Sequence, residues 1–535
     1  MSTQRGLSAG LAALTALLGV TAAACAALLA TAVAQQDASG TLQAYIWRVL
    51  RFTLLQATLS ALISVLPALF VARALARRPD FPGRGLLLKL FALPLALPAI
   101  VAVLGIVEVW GQQGFVNRLL LLAGNQTPLN IYGLSGILIA HLFFNLPLAT
   151  RMFLGALERV PGESWRLAAQ LGFSSKAIWR LIEWPILRAQ LPAVTALVFM
   201  LCLTSFTTVL TLGGGPRATT IEVAIYQALR FDFDPVLAVR LALLQLGLTG
   251  TLLIAGFRLI RQVNVEAGLN RQIVRFDGRS IMARGSDGAL IALALLATFP
   301  VFASILVSGV RAPFAALMTD DAVWRAAGMS LTIASGAAFL SLLIAWPLVE
   351  LAATGRQPEA KPVIRWLGRF SEIAGSLVLV MPPIVLGAGW FVLLLGVPGG
   401  RDLGLLVVIV INALMAVPFV SRILSPAIAE NRERHDRLCM SLGLAGAARL
   451  RLVDWPVLRR PLGTAIAFAL ALSLGDLGAI ALFGSEDLIT LPLLLLQRLG
   501  NYRVNDAAGL ALLLGALCLT IMALAENGAR RETGL

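Results

Sequence analysis

The sequence has few charged residues, cysteines and histidines. Charged side chains make up 13% of its 535 residues and hydrophobic ones 58%, and the mean hydropathy is +0.85. Soluble globular domains contain about 25% charged residues, so the composition excludes an ordinary soluble protein. The four cysteines and two histidines follow no metal-ligand or disulfide spacing. The sequence therefore predicts no metal site and no cofactor.

Two further motif classes are missing. The chain has no phosphate-binding loop of the form Gly-x4-Gly-Lys-Ser/Thr and no convergent set of His, Cys and acidic residues. We therefore expect a non-catalytic protein that does not itself hydrolyse ATP. The net charge of +15 does not predict nucleic-acid binding, because cytoplasmic loops of membrane proteins collect Lys and Arg.

What the sequence does contain is long, continuous apolar runs. Only helices and closed barrels satisfy every backbone polar group in lipid, and alternating apolar residues, the barrel pattern, are not seen here. The pattern predicts an all-α polytopic membrane protein with about 12 transmembrane helices. The expected spans are about 7–34, 52–74, 87–110, 132–154, 190–212, 236–258, 287–310, 326–352, 373–396, 403–424, 461–484 and 506–526.

The distribution of basic residues predicts the orientation. With both termini in the cytoplasm, 32 of the 43 Lys and Arg residues fall in cytoplasmic segments, as the positive-inside rule requires. Ala32-Val33-Ala34 is similar to a signal-peptidase site, but the run from Leu7 to Ala34 is longer than a signal peptide's apolar region of about 7–15 residues. We expect an uncleaved membrane anchor.

Two charged segments between apolar runs are related at an offset of 271 positions. Glu183-Trp184-Pro185 corresponds to Asp454-Trp455-Pro456, and the same register extends backward without a gap. Many matches at one offset indicate an internal repeat. The further matched pairs are Gly172 with Gly443, Leu171 with Leu442, Arg166 with Arg437, Arg151 with Arg422 and Pro147 with Pro418.

The repeat divides the chain into two tandem six-helix halves. We expect a first half at 1–260, a cytoplasmic linker at 261–286 and a second half at 287–535. Leu97-Pro98 in the third span resembles Met381-Pro382 in the ninth. Parallel repeats of this kind place a transport pathway at the interface of the halves.

Each half contains one repeated cytoplasmic segment, 155–188 (the first loop) and 426–459 (the second loop). Each is predicted to form a helix, a glycine turn and a second helix. Gly172 and Gly443 suit a position just after a helix end, where φ is positive. Pro185 and Pro456 would begin or kink the next span.

These loops resemble those of the permeases of binding-protein-dependent ABC importers. The family's "EAA" loop has Glu-Ala-Ala, three residues, Gly, nine residues and then Ile-x-Leu-Pro. Nine residues likewise separate Gly172 from Ile182-Glu183-Trp184-Pro185, and Gly443 from Val453-Asp454-Trp455-Pro456. The opening triplets differ, because Arg166 and Arg437 stand where the family has glutamate; Glu163 and Glu433 lie nearby.

The resemblance implies that each loop forms a coupling helix that docks on a separate ATPase subunit. It further implies two ATPase copies, a periplasmic solute-binding protein and a location in the bacterial inner membrane. The alternative for the loops themselves is ordinary solvated helices. The candidate coupling residues are Glu163, Arg166, Ala168, Gly172, Trp184, Pro185, Arg437, Gly443, Trp455 and Pro456.

Within that family the chain most resembles the fused permeases of thiamine and thiamine pyrophosphate importers. The resemblance rests on segments 141–147, 212–229 and 474–484. It implies thiamine or thiamine pyrophosphate as the solute. An iron(III) importer permease of the same fused architecture is the alternative, and an ion-coupled secondary transporter is a less favoured one.

One acidic residue lies inside a predicted span. Asp476 is in the eleventh span, and Ser205 is its counterpart at the 271 offset. A central aspartate costs about 2.5–3.5 kcal/mol on insertion scales, so it should face a partner or a water-filled path. Both residues are candidates for the translocation path, where a carboxylate could favour a cationic solute. The alternative for Asp476 is a structural acid that holds neighbouring helices.

Overall fold

The computed structural model describes residues 2–34, 40–124, 127–259, 275–278, 280–357, 360–444 and 446–530. Every regular element within these ranges is a helix, which confirms the predicted all-α class. Part of the predicted linker, 261–274 and 279, lies outside the described residues, as does the C-terminal segment 531–535.

The described helices form two series along the chain. Up to Val310 they are α1 (Ser2–Ala34), α2 (Gly40–Arg77), α3 (Arg84–Leu90), α4 (Leu93–Ala96), α5 (Ala99–Trp110), α6 (Phe115–Leu122), α7 (Leu134–Glu158), α8 (Gly162–Gln170), α9 (Ser175–Ile178), α10 (Trp184–Leu203), α11 (Phe206–Leu212), α12 (Ile221–Arg230), α13 (Pro235–Leu259) and α14 (Ile281–Val310). Beyond it they are α15 (Phe314–Met318), α16 (Asp321–Gly355), α17 (Pro362–Leu377), α18 (Pro383–Leu395), α19 (Gly404–Ser441), α20 (Gly446–Arg449), α21 (Trp455–Gly475), α22 (Gly478–Phe483), α23 (Leu491–Gly500) and α24 (Val504–Arg530).

Eleven of the described helical segments are long and apolar enough to cross a membrane. The prediction of about twelve differs at the ninth span, 373–396, where α17 ends and α18 begins a few residues later. Pro382 has no backbone N–H and disfavours a helical conformation at Met381, which is extended with ψ 104°. The chain is therefore interrupted where one continuous helix was expected.

The third span, 87–110, is interrupted in the same way. Leu97 is extended with ψ 135° before Pro98, and α5 begins at the next residue. The two matching motifs, Leu97-Pro98 and Met381-Pro382, therefore share a structural consequence. Each ends one helix and precedes a short buried one, α5 or α18.

The helices cluster into two compact units that are not contiguous in sequence. The larger unit comprises Met1–Ala38, Ala224–Leu246 and Arg311–Leu535, and the smaller comprises Ser39–Val223 and Gly247–Val310. The predicted boundaries at 1–260 and 287–535 describe the repeat in the sequence, whereas these units describe spatial contact. The boundaries therefore stay a prediction.

Within the larger unit, α1 packs against α16 and α18. The contact face of α1 is apolar, with Leu17 and Leu28 almost fully buried. The approach to α18 is close, because a Cβ added at Gly389 would lie 2.7 Å from the carbonyl oxygen of Ala24. The N-terminal helix is thus an integral part of this unit's core.

Within the smaller unit, α2 packs against α7 and α10, and α14 packs against α2 and α5. Its core is formed mainly by Ala, Val, Leu and Phe side chains of α2, α7 and α10. Small residues such as Ala57, Ala61 and Ala68 on α2 allow close helix packing. This packing positions the end of α2 next to the first loop.

Candidate functional site

The first loop places a short amphipathic helix, α8, after α7. Proline at position 161 has no N–H and is extended (ψ 139°), so α7 ends at Glu158 and α8 begins at Gly162. Trp165 and Ala168 on α8 are buried, whereas Glu163 and Arg166 are exposed. The candidate coupling residues are therefore divided between the two faces of one helix.

Gly172 ends this helix as the sequence predicted. Its φ is +63°, in the left-handed region that glycine adopts without steric cost. The N–H of Phe173 donates to the carbonyl of Ala168 at 2.9 Å, and the N–H of Gly172 donates to Ala169 at 3.1 Å. These two bonds form a Schellman motif, which satisfies carbonyls at the helix end and turns the chain back.

The second loop has the same turn on a longer helix. Gly443 has φ +65°, and the N–H of Leu444 donates to the carbonyl of Cys439 at 2.9 Å. Cys439 corresponds to Ala168 at the 271 offset, and both side chains are buried. Because Arg432 stands where the first loop has proline, α19 continues unbroken to Ser441.

The segments that lead back to the next span, 175–185 in the first loop and 446–456 in the second (the return arms), also begin and end their helices at equivalent positions. In each loop one helical turn, α9 or α20, leads into a five-residue π-helix, Trp179–Glu183 or Leu450–Asp454. The next helix then begins with Trp184-Pro185 or Trp455-Pro456. A proline ring clashes with the carbonyl four residues earlier in an α-helix, and the wider π turn relieves that clash. The repeated Trp-Pro pair thus marks a repeated backbone geometry.

A buried ion-pair cluster holds the return arm of the first loop. The Glu183 carboxylate is fully buried and accepts hydrogen bonds from Arg73 of α2 and from Arg275, each at 2.6 Å. Arg275 belongs to the predicted linker, and its guanidinium carbon lies 4.0 Å from the ring centroid of Trp165 on α8. Asp277 pairs with Arg275 at 2.9 Å and with Arg77 of α2 at 3.1 Å.

The second loop has its own charged contacts. Arg449 of α20 pairs with Asp436 of α19 at 2.6 Å and with Asp454 of the π-helix at 3.4 Å. Asn431 also donates to Asp454, at 2.8 Å. All four of these residues lie within the second loop.

In both clusters the acidic and basic groups stabilise each other's charged forms. Burial alone would lower the pKa of Arg275, but Glu183 and Asp277 raise it above its ordinary value. Burial alone would raise the pKa of Asp277, but hydrogen bonds and charge from Arg275 hold it below its ordinary value. The pKa of Arg449 is likewise raised, because Asp436 and Asp454 outweigh the effect of burial. Both arginines therefore stay charged.

Three pairs of exposed leucines were not among the predicted coupling residues. They occupy equivalent positions of the two loops and expose 52–64% of their surface. The sequence does contain a signal for them, because leucine occurs at both positions of each pair, 271 residues apart. In the structure these leucines face away from the buried side. The pairs are Leu167 (56%) with Leu438 (52%), Leu171 (61%) with Leu442 (62%), and Leu181 (58%) with Leu452 (64%).

The two path candidates lie at interruptions of spanning helices. Asp476 separates α21 from α22, and its carboxylate accepts N–H bonds from Gly478 at 3.2 Å and Ala479 at 3.1 Å. Ser205 likewise precedes α11, where its side chain makes no capping hydrogen bond. Asp476 also lines a small cavity of ≈ 10 Å³ together with Ser330, Asn412, Ser473 and Thr490. Such a volume has room for about one water molecule.

No site for a metal ion is evident in the described part of the chain, since no three His, Cys, Asp or Glu residues are grouped to hold one. The conserved geometry instead lies in the two loops. It comprises an amphipathic helix end, a left-handed glycine, a π-helix and exposed leucines, each present twice.

The chain is similar to known proteins over most of its length. The thiamine transport system permease protein ThiP of Brucella abortus (strain 2308) is 49% identical over 93% of this chain and 91% of that protein. The protein of the same name from Escherichia coli (strain K12) is 45% identical, covering 90% and 89%, and that from Haemophilus influenzae (strain ATCC 51907 / DSM 11121 / KW20 / Rd) is 39% identical, covering 89% and 87%. No family model matches the chain.

Proposed function

Because the chain belongs to the thiamine transport system permeases, a family of fused ABC importer permeases, we propose that it imports thiamine and thiamine pyrophosphate by ATP-driven alternating access. The permease is a transport subunit of a multi-pass inner-membrane system. In the proposal, two copies of a separate ATPase subunit bind on the cytoplasmic side, where both termini lie, and a periplasmic solute-binding protein delivers the solute. The solute assignment is supported by the names of relatives that align over about 90% of the chain.

The observation that carries the ATP-coupling proposal is the duplicated loop geometry. Two surfaces that share a helix ended by a left-handed glycine and exposed leucines at equivalent positions suit two identical ATPase subunits. Closure of the subunits would then push both loops at once and move the helices that follow, α10 and α21. In this proposal the coupling residues are Glu163, Arg166, Ala168, Gly172, Trp184, Pro185, Arg437, Gly443, Trp455 and Pro456.

The proposal also assigns roles to the two halves of the chain and to the two path candidates. The halves 1–260 and 287–535 would each contribute one loop and one side of the path. Ser205 and Asp476 would line that path at the helix interruptions, where backbone polar groups can face a cavity. The departure from the family's leading glutamates is compatible with docking through the exposed leucines.

The test is to purify the chain with candidate ATPase and solute-binding subunits and to measure ATP hydrolysis in vesicles. We expect stimulation by solute-loaded binding protein with thiamine and with thiamine pyrophosphate. Stimulation by iron(III) alone would overturn the solute assignment in favour of the iron importer. Uptake without any ATPase subunit, driven by an ion gradient, would overturn ATP coupling.

The docking surface is tested with Leu167→Ser combined with Leu438→Ser. A leucine buried at an interface contributes about 1.5–3 kcal/mol, so retention of the ATPase subunits should fall by at least about tenfold. The matched control is Leu122→Ser in α6, a leucine that is 85% exposed and lies in a segment predicted to be periplasmic. Unchanged retention in the double variant, or equal loss in the control, would contradict docking at these leucines.

A further inference from the structure

In both loops an arginine bridges the same two positions. In the second loop Arg449 contacts Asp436, on the helix before the glycine turn, and Asp454, at the end of the π-helix. The corresponding positions of the first loop, 271 residues earlier, are Trp165 and Glu183. Arg275 contacts both of these.

The two arginines come from different parts of the chain. Arg449 lies in α20, inside the loop that it bridges. Its counterpart in the first loop is Ile178, a fully buried apolar residue that packs with Trp165. The first loop therefore has no arginine of its own at this position, and Arg275 of the predicted linker occupies the equivalent place between helix and return arm.

The bridge in the first loop is more buried than the one in the second. The side chain of Arg275 is 3% exposed and that of Glu183 0%, compared with 27% for Arg449 and 18% for Asp454. Arg275 can act as a bridge because Asp277, two residues on, is held in turn by Arg77 of α2. The described end of the linker is thus attached both to the loop and to a spanning helix.

Stability alone is a weak explanation for such a cluster. Buried ion pairs frequently contribute little net stability, because desolvation offsets the attraction between the charges. They do impose geometry, since each partner must stay within hydrogen-bond distance of the other. In the first loop the ion pair of Arg275 with Glu183 and the contact of its guanidinium with the Trp165 ring together set the distance between α8 and the return arm that leads into α10.

We propose that Arg275 is a positioning residue for coupling, by which the linker supplies to the first loop the bridging guanidinium that the second loop supplies itself. This inference rests on the proposed function of the loops. Without the bridge, α8 would rotate about the Gly172 turn when the ATPase subunit pushes it. Less of its displacement would then reach α10. The linker would then be a working part of the first loop as well as a connection between halves.

The first test is Arg275→Gln in the complete complex with its ATPase and binding subunits. Mutations along a coupling path change coupling energies by about 0.5–2 kcal/mol, so the ATP hydrolysed per thiamine imported should rise roughly 2- to 30-fold. Retention of the ATPase subunits should persist, since the exposed leucines are untouched. The matched control is Arg284→Gln, which changes an exposed arginine of the same predicted linker and should leave the ratio unaltered.

A transplant distinguishes bridging from simple charge compensation. Trp165→Asp with Ile178→Arg installs the second loop's residues at the equivalent positions, and in the Arg275→Gln background it should restore the ratio. Glu183→Gln in the same background changes the charge of the cluster without restoring a bridge, and should leave the ratio high. Recovery of normal coupling with Glu183→Gln would overturn the proposal.

Hydrogen exchange gives a readout that does not depend on the transported solute. Arg275→Gln should increase amide exchange in 162–170 and 175–183 while 433–454 in the second loop stays as in the wild type. Equal exchange in all variants would overturn the bridge even if transport were impaired. Absence of solute-stimulated hydrolysis in the wild-type complex would instead be a failure of the proposed function, and the exchange result would stand independently.

Discussion

Asp476 shows how a single buried acid can be explained by local backbone geometry. Its carboxylate accepts two N–H bonds from the start of α22, where backbone donors have no partner within the helix. This contact supports the structural role that the sequence left open beside a role in the translocation path. The equivalent Ser205 lies at the same interruption in the smaller unit but makes no such bond.

Asp476→Ala should destabilise the protein more than Asp476→Asn. Loss of a capping side chain costs about 0.5–2 kcal/mol, whereas asparagine keeps one acceptor oxygen. Unfolding of the purified protein in detergent measures the difference. The matched control is Asp487→Ala, because Asp487 is exposed in the following loop.

If both Asp476 variants unfold like the wild type, the capping bonds contribute nothing. If Asp476→Asn unfolds like the wild type but loses thiamine uptake or discrimination against neutral solutes, the charge acts in the translocation path. Unchanged transport and selectivity in this variant would remove Asp476 from that path.

At the scale of elements, the two loops show which features of a repeat are backbone geometry and which are side-chain chemistry. The positive-φ glycine, the π-helix and the Trp-Pro start of the next helix occur in both loops at one offset. The helix before the turn differs, because proline at position 161 separates α8 from α7 while α19 is continuous. The turn is thus the common element, and the helix leading into it varies.

Gly172→Ala should lower the free energy of unfolding by about 1–2 kcal/mol, because an L-residue is strained in the left-handed region. No atom lies within 4 Å of the added Cβ, so the cost is one of backbone conformation alone. Gly172→Asn should cost less, since asparagine tolerates this conformation better. Detergent unfolding and thiamine-stimulated ATP hydrolysis are the measurements.

The control for this prediction is Gly155→Ala. Gly155 lies inside α7, and its added Cβ also meets open space. Alanine is favoured over glycine in a helix by about 1 kcal/mol, so this variant should be neutral or more stable. Equal effects at both glycines would show that the left-handed turn does not require glycine.

At the scale of the whole molecule, sequence order and spatial grouping differ. The N-terminal helix α1 belongs to the larger unit, most of which is formed by residues after Arg311, and α14 packs in the smaller unit against α2 and α5. Within the larger unit, α1 is buried against α16 and α18 through close contacts. This packing supports the prediction that the first span is an anchor.

Gly389→Ala should separate α1 from α18. The added Cβ would lie 2.7 Å from the Ala24 carbonyl oxygen and 2.8 Å from its Cβ, so backbone must move, at about 1–3 kcal/mol. Gly375→Ala in α17 is the matched control, because its added Cβ meets nothing within 4 Å. Detergent unfolding measures both, and the intact mass of the purified chain shows whether α1 is retained. A mature chain that lacks residues 1–34, or equal stability of the two variants, would contradict an integral α1.

Much of the architecture was predictable from local patterns. Apolar run length predicted the spans, and the offset of 271 predicted equivalent loops with left-handed glycines at Gly172 and Gly443. Pro98 and Pro382 also indicate the interruptions that precede them. Hydropathy is averaged over a window, however, and does not detect the loss of a single backbone hydrogen bond. The ninth span was therefore expected to be continuous and is not.

The sequence by itself determined the membrane class, the helices and the turns, because these depend on residues that are close together in the chain. The properties that decide them are hydrophobicity, the missing N–H donor of proline and the conformational freedom of glycine. Only the tertiary structure decided that Arg275 contacts Trp165 and Glu183, which lie 110 and 92 positions away. It also decided that α1 packs with helices more than 300 residues later. Such contacts depend on which apolar faces meet when the helices pack, and no local periodicity encodes that choice.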